Sequence, residues 1–302
     1  MKKSVTTLTL ALFCASSFST TPCTASEVVR ESRETESFRK INASGGIDVY
    51  FTQNETYSIV VEADEEYVGN IATEVDNETL SVKWRKNIRD RSIKKVAKVH
   101  VSAPALYMVS ASAVADFYAD KLQCDASFQL RSSGGADVNI AALTADGNAD
   151  ISTSSGADVD ITSLTVAGSA NISASGGADV TINSLTVAES ANISASGGAD
   201  VDINSLTVAG SANISTSGAD CDVKNLQTVH CTLTSSGGGD MNITVNASGN
   251  LSAKAVGGGD IKVTGAVGDV VVVASGGAYV DLRRLTYKNI DIQKSGGGDV
   301  YR

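Results

Sequence analysis

Short segments in which apolar and polar residues alternate recur along the chain from residue 137 onward. Two apolar residues enclose one polar residue at 138–140, 159–161 and 180–182. Two more apolar segments follow within each copy, and in the first copy they begin at Leu143 and Ala149. Alternation with a period of two is typical of β-strands that have one buried face. The pattern predicts three short strands per copy and favours no helix.

A glycine-rich marker precedes the first strand of each copy. It reads Gly-Gly-Ala-Asp-Val at 134–138 and returns, intact or degenerate, as far as 297–300. Its aspartates are Asp116, Asp137, Asp158, Asp179, Asp200, Asp220, Asp240, Asp260 and Asp299, and Tyr279 replaces the aspartate once. The markers lie 21 residues apart in the early copies and 19 to 20 apart in the later ones. A fixed period of this length indicates a repeat architecture.

Strands this short cannot bury an apolar face alone, so successive copies must stack on one another. Each strand then pairs with its equivalents above and below at a spacing of ~4.8 Å, which gives a column about 40 Å tall. The glycines supply the positive φ that a tight corner requires. The predicted fold class is therefore all-β, a parallel β-helix (solenoid) with coils of 20 to 21 residues.

Residues 26–115 are less regular, although they too are rich in predicted strands. The predicted strands are 49–51, 57–61, 79–82 and 96–101. Residues 44–49 read as an early copy of the marker, and Asn77 and Glu78 are candidates for a turn. Because a bare solenoid end exposes unpaired strands, we predict that 26–115 caps the regular repeats of 116–302.

The first 25 residues have the pattern of a signal peptide. Two lysines precede an apolar stretch over 5–18, and small residues at 23–25 offer a cleavage site. The stretch is too short and too polar to span a bilayer. We predict an exported protein at the outer membrane, at the cell surface or outside the cell, with the periplasm as the alternative. A further alternative is a lipoprotein acylated at Cys14 or Cys23.

Composition narrows the partners that the chain could bind. The formal net charge is −10, and phosphate backbones require a basic surface, so nucleic acid is not an expected partner. The basic residues that do cluster lie near the only tryptophan. These basic residues are candidates for contact with an anionic cell-surface polymer: Arg85, Lys86, Arg89 and Arg91. The indole ring of Trp84 is a candidate for contact with a sugar. The favoured interpretation is a solvated loop between two strands.

The marker aspartates allow two interpretations. Stacking places their carboxylates in a column, where like charges raise each other's pKa and a cation such as Ca²⁺ would relieve the repulsion. The candidate metal ligands are Asp137, Asp158, Asp179, Asp200, Asp220, Asp240 and Asp260. The favoured alternative is that each aspartate caps its own corner by accepting backbone N–H bonds. The candidate caps are Asp137, Asp158, Asp179 and Asp200, and no cofactor is then expected.

A second polar column is predicted one strand further along each copy. It contains Asn171, Asn192 and Asn213, with Asp150 at its start. Stacked asparagines can hydrogen-bond to one another along a solenoid, so this column is interpreted as structural.

The cysteines and histidines offer no catalytic set. Cys124, Cys221 and Cys231 fall at predicted inward positions and are interpreted as small core residues, with a Cys221–Cys231 disulfide as the alternative. His230 adjoins Cys231, but neighbouring residues of a strand point to opposite faces, so they cannot act as a nucleophile and its base. We predict no catalytic residues and no zinc site.

Several ordered segments resemble the head GIN domain family, autotransporter-adhesin-like proteins of Bacteroidetes. The resemblance rests on residues 38–53, 79–83 and 99–106, together with the Ser-Gly-Gly-Ala-Asp-Val copies. It covers about 36–302, nearly all of the chain that would remain after cleavage. It implies a right-handed β-helix, export and a role in adhesion, and it brings no catalytic residues.

Three functions follow from these observations. The first is a cell-surface adhesion or binding module whose partner is a glycan or a surface protein of a host or its matrix. The second is an envelope scaffold that forms homo-oligomers through exposed solenoid edges. The third is a β-helical carbohydrate-active enzyme, which the nearly uniform copies disfavour because they leave no long loops to build a cleft.

Overall fold

In the computed structural model, the described residues are 27–86, 96–247 and 249–302. They form two large sheets and one short helix, α1 (Glu65–Val68). The predicted signal peptide and its two cysteines lie outside the described residues, so export and acylation stay predictions. Within the described ranges, no helix is long and apolar enough to cross a membrane.

Sheet 1 contains 14 strands of the described chain. They are β1 (Val28–Arg33), β3 (Asp48–Gln53), β4 (Ser58–Asp64), β7 (Ala97–Ala103), β9 (Phe117–Cys124), β11 (Asp137–Ala145), β13 (Asp158–Val166), β15 (Asp179–Val187), β17 (Asp200–Val208), β19 (Asp220–Thr228), β21 (Asp240–Ala247), β23 (Asp260–Ala266), β25 (Tyr279–Thr286) and β27 (Asp299–Tyr301). Their spatial order is β1-β4-β7-β3-β9, followed by the odd-numbered strands from β11 to β27.

Sheet 2 contains 13 strands of the same described ranges. They are β2 (Lys40–Ser44), β5 (Ile71–Asp76), β6 (Thr79–Trp84), β8 (Met108–Ser112), β10 (Phe128–Ser133), β12 (Ala149–Ser154), β14 (Ala170–Ser175), β16 (Ala191–Ser196), β18 (Ser211–Ser217), β20 (His230–Gly237), β22 (Leu251–Gly257), β24 (Val270–Ser275) and β26 (Ile290–Ser295). Their spatial order is β5-β6-β2-β8, followed by the even-numbered strands from β10 to β26.

The predicted solenoid is confirmed, with about nine turns and coils about 21 residues apart. Each coil contributes one strand to each sheet, and equivalent residues of successive coils pair in parallel, as Val138 does with Val159. The corners between sheets rely on glycine: Gly134 and Gly135 have φ of 67° and 70°. L-residues adopt such angles only at a cost, which explains why the marker retains glycine there.

Each coil has two strands, whereas the sequence predicted three. The first two predicted strands are one strand of sheet 1, such as β13. Within β13 the alternation changes phase at Thr162 and Ser163, which are both exposed. The extra outward residue bends the strand. The pairing of β13 with β15 continues before and after it, since Ile161 pairs with Ile182 and Ser163 pairs with Ser184. We call this doubled outward pair the bend.

One continuous core lies between the sheets. It contains the inward residues of every coil, such as Ile161, Leu164 and Ile172, each at most 2% exposed. Cys124, Cys221 and Cys231 are buried there as free thiols, at the positions that the repeat register predicted. The alternative disulfide between Cys221 and Cys231 is therefore wrong for this structure.

The N-terminal part adds coils as well as a cap. Strand β3 lies between β7 and β9, and β2 lies between β6 and β8, so two early coils join the column out of chain order. Antiparallel strands β1 and β4 complete sheet 1, and β5 completes sheet 2. Asn77 and Glu78, with φ of 48° and 59°, form the predicted turn between β5 and β6. The predicted strands of this part are confirmed.

Candidate functional site

The marker aspartates form the predicted column on the outer side of sheet 1. Asp137, Asp158, Asp179 and Asp200 pair in register from coil to coil. Partial burial, and then the charges of neighbouring aspartates, raise the pKa of Asp137 and of Asp200 above its usual range. The column therefore carries the like-charge repulsion that the sequence predicted.

Hydrogen bonds of this column run between coils rather than within one corner. The carboxylate of Asp116 accepts the backbone N–H of Asp137 at 3.1 Å, and Asp220 accepts that of Asp240 at 2.9 Å. Among the described residues, the carboxylates of the four predicted caps, Asp137, Asp158, Asp179 and Asp200, accept no protein hydrogen bond. Their predicted role as caps of their own corners thus has no hydrogen bond to support it.

The geometry gives the calcium alternative little support. In a single line of carboxylates, a cation between two coils would have only two carboxylate groups beside it, and not three. Within the described ranges, no group of three or more acidic, histidine or cysteine side chains is close enough to hold a metal ion. Calcium binding by the seven candidates from Asp137 to Asp260 stays a prediction without further evidence.

Trp84 has a structural role at an early corner. Its Nε1 donates a hydrogen bond of 2.6 Å to the carbonyl of Gly45, and its ring packs edge-on against Tyr67. Arg85 pairs with Glu74 at 3.1 Å, and Lys86 is exposed. Arg89 and Arg91 lie outside the described residues. The indole is thus already packed and hydrogen-bonded, and the predicted contact of this cluster with a polymer stays a prediction.

A row of stacked rings crosses three strands that are distant in sequence. Tyr50 stacks against His100 at 5.3 Å and against Tyr118 at 4.9 Å between ring centroids. Burial, and then the charges of Asp116 and Asp48, raise the pKa of Tyr118 to about 12. Sequence reasoning missed this row because β7 and β3 join the column out of chain order.

A recess on the outer surface follows sheet 2 and holds about 480 Å³. Two columns of polar side chains line it, and we call it the polar groove. One column is Asp150, Asn171, Asn192, Asn213 and Thr232, and the other is Ser152, Ser173, Ser194, Ser215 and Thr234. The groove crosses five coils, from β12 to β20. The sequence predicted the asparagine column but assigned it only a structural role.

The asparagines of the polar groove form a hydrogen-bonded ladder. Asn171 donates to Asp150 at 2.7 Å, Asn192 donates to Asn171 at 2.9 Å, and Asn213 donates to Asn192 at 2.9 Å. An amide has two N–H donors and two acceptor lone pairs. Asn171 and Asn192 each use one donor and one acceptor in the ladder, so one of each is left for solvent or a ligand. The ladder also holds the amides in one orientation.

His230 and Cys231 lie on opposite faces of β20, as the sequence predicted. His230 is exposed and its Nδ1 accepts the backbone N–H of Asn250 at 3.3 Å, whereas Cys231 is buried. Burial raises the pKa of the Cys231 thiol to about 12, so the thiolate required of a nucleophile is not formed near neutral pH.

The chain is similar to proteins of known structure. A putative adhesin from Parabacteroides merdae is 18% identical, with a TM-score of 0.58 over 91% of this chain and 95% of that one. A putative adhesin from Parabacteroides distasonis is 17% identical, with a TM-score of 0.54 over 89% and 98%. At this identity the likeness shows the fold alone. No curated protein matches the sequence.

A family model covers almost the whole described chain. The model described as "Putative auto-transporter adhesin, head GIN domain" matches residues 37–219 and 202–301. These ranges include both the early coils around β2 and β3 and the regular repeats. The chain therefore belongs to the head GIN domain family of auto-transporter-adhesin-like proteins.

Proposed function

We propose that this protein is an exported, non-catalytic binding module that attaches to a glycan at the cell surface. The polar groove of sheet 2 is the observation that carries the proposal. It presents fixed, partly unused amides beside a column of hydroxyl groups, a chemistry that suits the many hydroxyl groups of a polysaccharide. The description of the family as adhesin-like also supports it.

The repetition of the groove matters as much as its chemistry. A linear polymer that runs along the column would meet the same pair of side chains in each coil, at a spacing of ~4.8 Å. Each contact exchanges a hydrogen bond with water for one with the ligand and is worth about 1 kcal/mol. Once the first contact forms, the others become intramolecular, so weak contacts combine into useful affinity.

The N-terminal edge of sheet 1 disfavours self-assembly through that edge. Strand β1 is the edge of sheet 1, and three of its residues, Arg30, Glu31 and Arg33, are charged. Charges on an edge strand oppose pairing with another chain. The alternative function is an envelope scaffold. It predicts that the mass of the protein in solution rises with protein concentration, and such a rise would replace the proposal.

The test of location uses intact cells that express the full chain. Antibody labelling before permeabilisation supports the cell surface, provided that a periplasmic control protein is labelled only afterwards. Labelling only after permeabilisation would replace the surface assignment with the periplasm.

The test of binding uses the full chain and an array of linear neutral and acidic polysaccharides. Asn192→Ala removes two rungs of the groove ladder, and we expect it to weaken binding of neutral glycans about five- to tenfold. Asn183→Ala is the matched control, because Asn183 accepts a similar bond from Asn204 at 3.0 Å but lies on sheet 1. Equal effects of the two substitutions, or no binding to any glycan, would contradict the proposal.

A further inference from the structure

Two later coils lack the bend, so their strands in sheet 1 have one residue fewer at that point. This difference leaves a recess on sheet 1. Strand β21 alternates strictly, with no doubled outward pair. Strands β19 and β25 retain the bend, at Lys224–Asn225 and at Arg283–Arg284. The pairing register consequently shifts between Val223 and Leu226 and again near Lys262. The result is a cleft of about 370 Å³, with bent strands on both sides, which we call the cation cleft.

Three basic side chains line the cation cleft. Lys224 and Arg284 come from the two flanking bends, and Lys262 lies between them. The hydroxyl groups of Thr244 and Thr264, 2.9 Å apart, also line it. Side chains of these types match the oxygen atoms of a carboxylate or a sulfate: lysine offers a point charge, and arginine a planar pair of donors.

Within the described residues, no carboxylate forms an ion pair with the three cations of the cation cleft, although Asp202 attracts Lys224 and Asp281 attracts Lys262 from further away. Lys224 donates a 2.7 Å hydrogen bond to the amide oxygen of Asn204, which is uncharged. Within the described part of the chain, neither Lys262 nor Arg284 has a carboxylate within 4.0 Å. One carboxylate, that of Asp222, lines the cleft and accepts a 2.8 Å hydrogen bond from Asn242, so the lining carries three positive charges and one negative charge. Like charges repel, so an anion between them would be stabilised.

An adjoining recess adds an aromatic surface. It holds about 290 Å³ and shares Lys262 with the cation cleft. Tyr279 stacks with Tyr301 at 6.2 Å, and the guanidinium of Arg283 lies 5.7 Å from the centre of the Tyr301 ring. Asp240, Asp260 and Asp281 also line this recess, and Arg283 pairs with Asp281 at 2.7 Å. The recess therefore adds an apolar aromatic face beside the cation cleft rather than further positive charge.

The distribution of charge along the chain singles out this region. No lysine or arginine lies between Arg131 and Lys224, an interval that contains eleven aspartates and glutamates. Eight lysines and arginines follow from Lys224 onward. In a chain with a net charge of −10, a cleft lined by three cations and one carboxylate favours an anionic ligand, whereas the acidic body would repel one.

We propose that the cation cleft binds the acidic units of a polysaccharide, through their carboxylate or sulfate groups. This inference rests on the proposed function, because it presumes that the protein binds glycans. It assigns a different surface from the polar groove: the cleft lies on sheet 1 and recognises charge, whereas the groove lies on sheet 2 and recognises hydroxyl groups.

The test compares polygalacturonate, heparin and neutral dextran as ligands of the full chain. Lys262→Gln combined with Arg284→Gln is expected to weaken binding of the acidic polymers at least about tenfold and to leave neutral glycans unaffected. Lys254→Gln combined with Lys288→Gln is the control, because it removes the same charge from exposed positions outside the cleft. Thermal melting verifies that both variants fold. Preference for polygalacturonate identifies carboxylate as the ligand group, and preference for heparin identifies sulfate.

Three results would overturn the inference. One is an equal loss of affinity in both double variants, which would indicate a general effect of net charge. Another is tighter binding to phosphatidylglycerol vesicles than to either acidic polymer. The third is a failure of the acidic polymers to bind while neutral glycans still bind and remain sensitive to Asn192→Ala, which would leave the proposed function intact. Absence of binding to every glycan would remove both proposals.

Discussion

The middle coils and the later coils of the same column differ in the regularity of their strands and in their charge. From β11 to β17 successive strands begin 21 residues apart, and their bends are built from small uncharged residues or asparagine. From β19 onward the coils vary in length, and two bends carry Lys224, Arg283 and Arg284. Uniform coils extend a continuous groove, whereas a single omitted residue creates a recess. A break in the repeat thus gives the column a local recess that the uniform coils lack.

The largest expected effect concerns the core that both regions share. Leu185→Ala in a middle coil should lower the free energy of unfolding by about 2–5 kcal/mol, because Leu185 is 1% exposed and stacks between Leu164 and Leu206. The exposed neighbour Thr186 is the control, and Thr186→Ala should change stability by less than about 0.5 kcal/mol. Chemical denaturation measures both, and similar values would contradict the assigned register.

Restoring the missing bend should make a later coil resemble a middle one. Insertion of one serine between Thr244 and Val245 recreates the sequence pattern of the 21-residue coils and should fill the cation cleft. We expect affinity for an acidic polysaccharide to fall at least about tenfold while the melting temperature changes little. Insertion of serine between Ala188 and Glu189, in an exposed turn, is the control. Unchanged affinity after the first insertion would show that the omitted residue does not create the site.

The corners of the two regions should respond differently to the same substitution. Gly177 has a φ of 69°, so Gly177→Ala should cost about 1–2 kcal/mol although no atom lies within 4 Å of the new Cβ. Gly238, in a later coil, has no positive φ and equally open space, so Gly238→Ala should be neutral or slightly stabilising. Equal destabilisation in the two variants would refute the conformational explanation.

The smallest effect is a difference in pH dependence. Burial, and then Asp179 and Asp220, raise the pKa of Asp200, so the folded state loses stability as pH rises from about 4 through that raised value. Asp200→Asn should therefore raise the melting temperature slightly at pH 7 and leave it unchanged at pH 3. The hydrogen bonds from Arg283 lower the pKa of Asp281 to about 2, which stabilises the fold above about pH 4.

Asp281→Asn is accordingly the opposite case. It should lower the melting temperature at pH 7, and the difference should shrink as pH falls from about 4 towards 2, where the wild-type carboxyl is protonated. Thermal melts of both variants across pH 2–7 measure the contrast. Shifts of the same sign at pH 7 would contradict the assignment of repulsion to the aspartate column and attraction to the Asp281–Arg283 pair.

Local repetition determined how much of this molecule could be predicted from the sequence. Because each coil repeats the last, the alignment of Cys221 with Val201 and of Cys231 with Ala212 could be predicted, and the structure confirms both. The phase change at Thr162 and Ser163 was interpreted as a strand break, because a bend and a turn look alike in a short alternating segment.

Features that depend on non-local order were missed. The row of Tyr50, His100 and Tyr118 forms only because β3 lies between β7 and β9. The cation cleft joins residues as far apart as Lys224 and Arg284, and it forms where strands without the bend lie between two strands that have it. Neither fact follows from the composition of any one coil.

The most direct test of the proposed function measures how affinity depends on ligand length. The polar groove spans five coils, or about 19 Å at the usual spacing of strands. Calorimetry with oligomers of a neutral glycan identified on the array should give affinities that rise with length until the ligand fills the groove and then level off, and Asn192→Ala should flatten the rise. Affinity that is independent of length from the shortest oligomer onward would contradict recognition along the column.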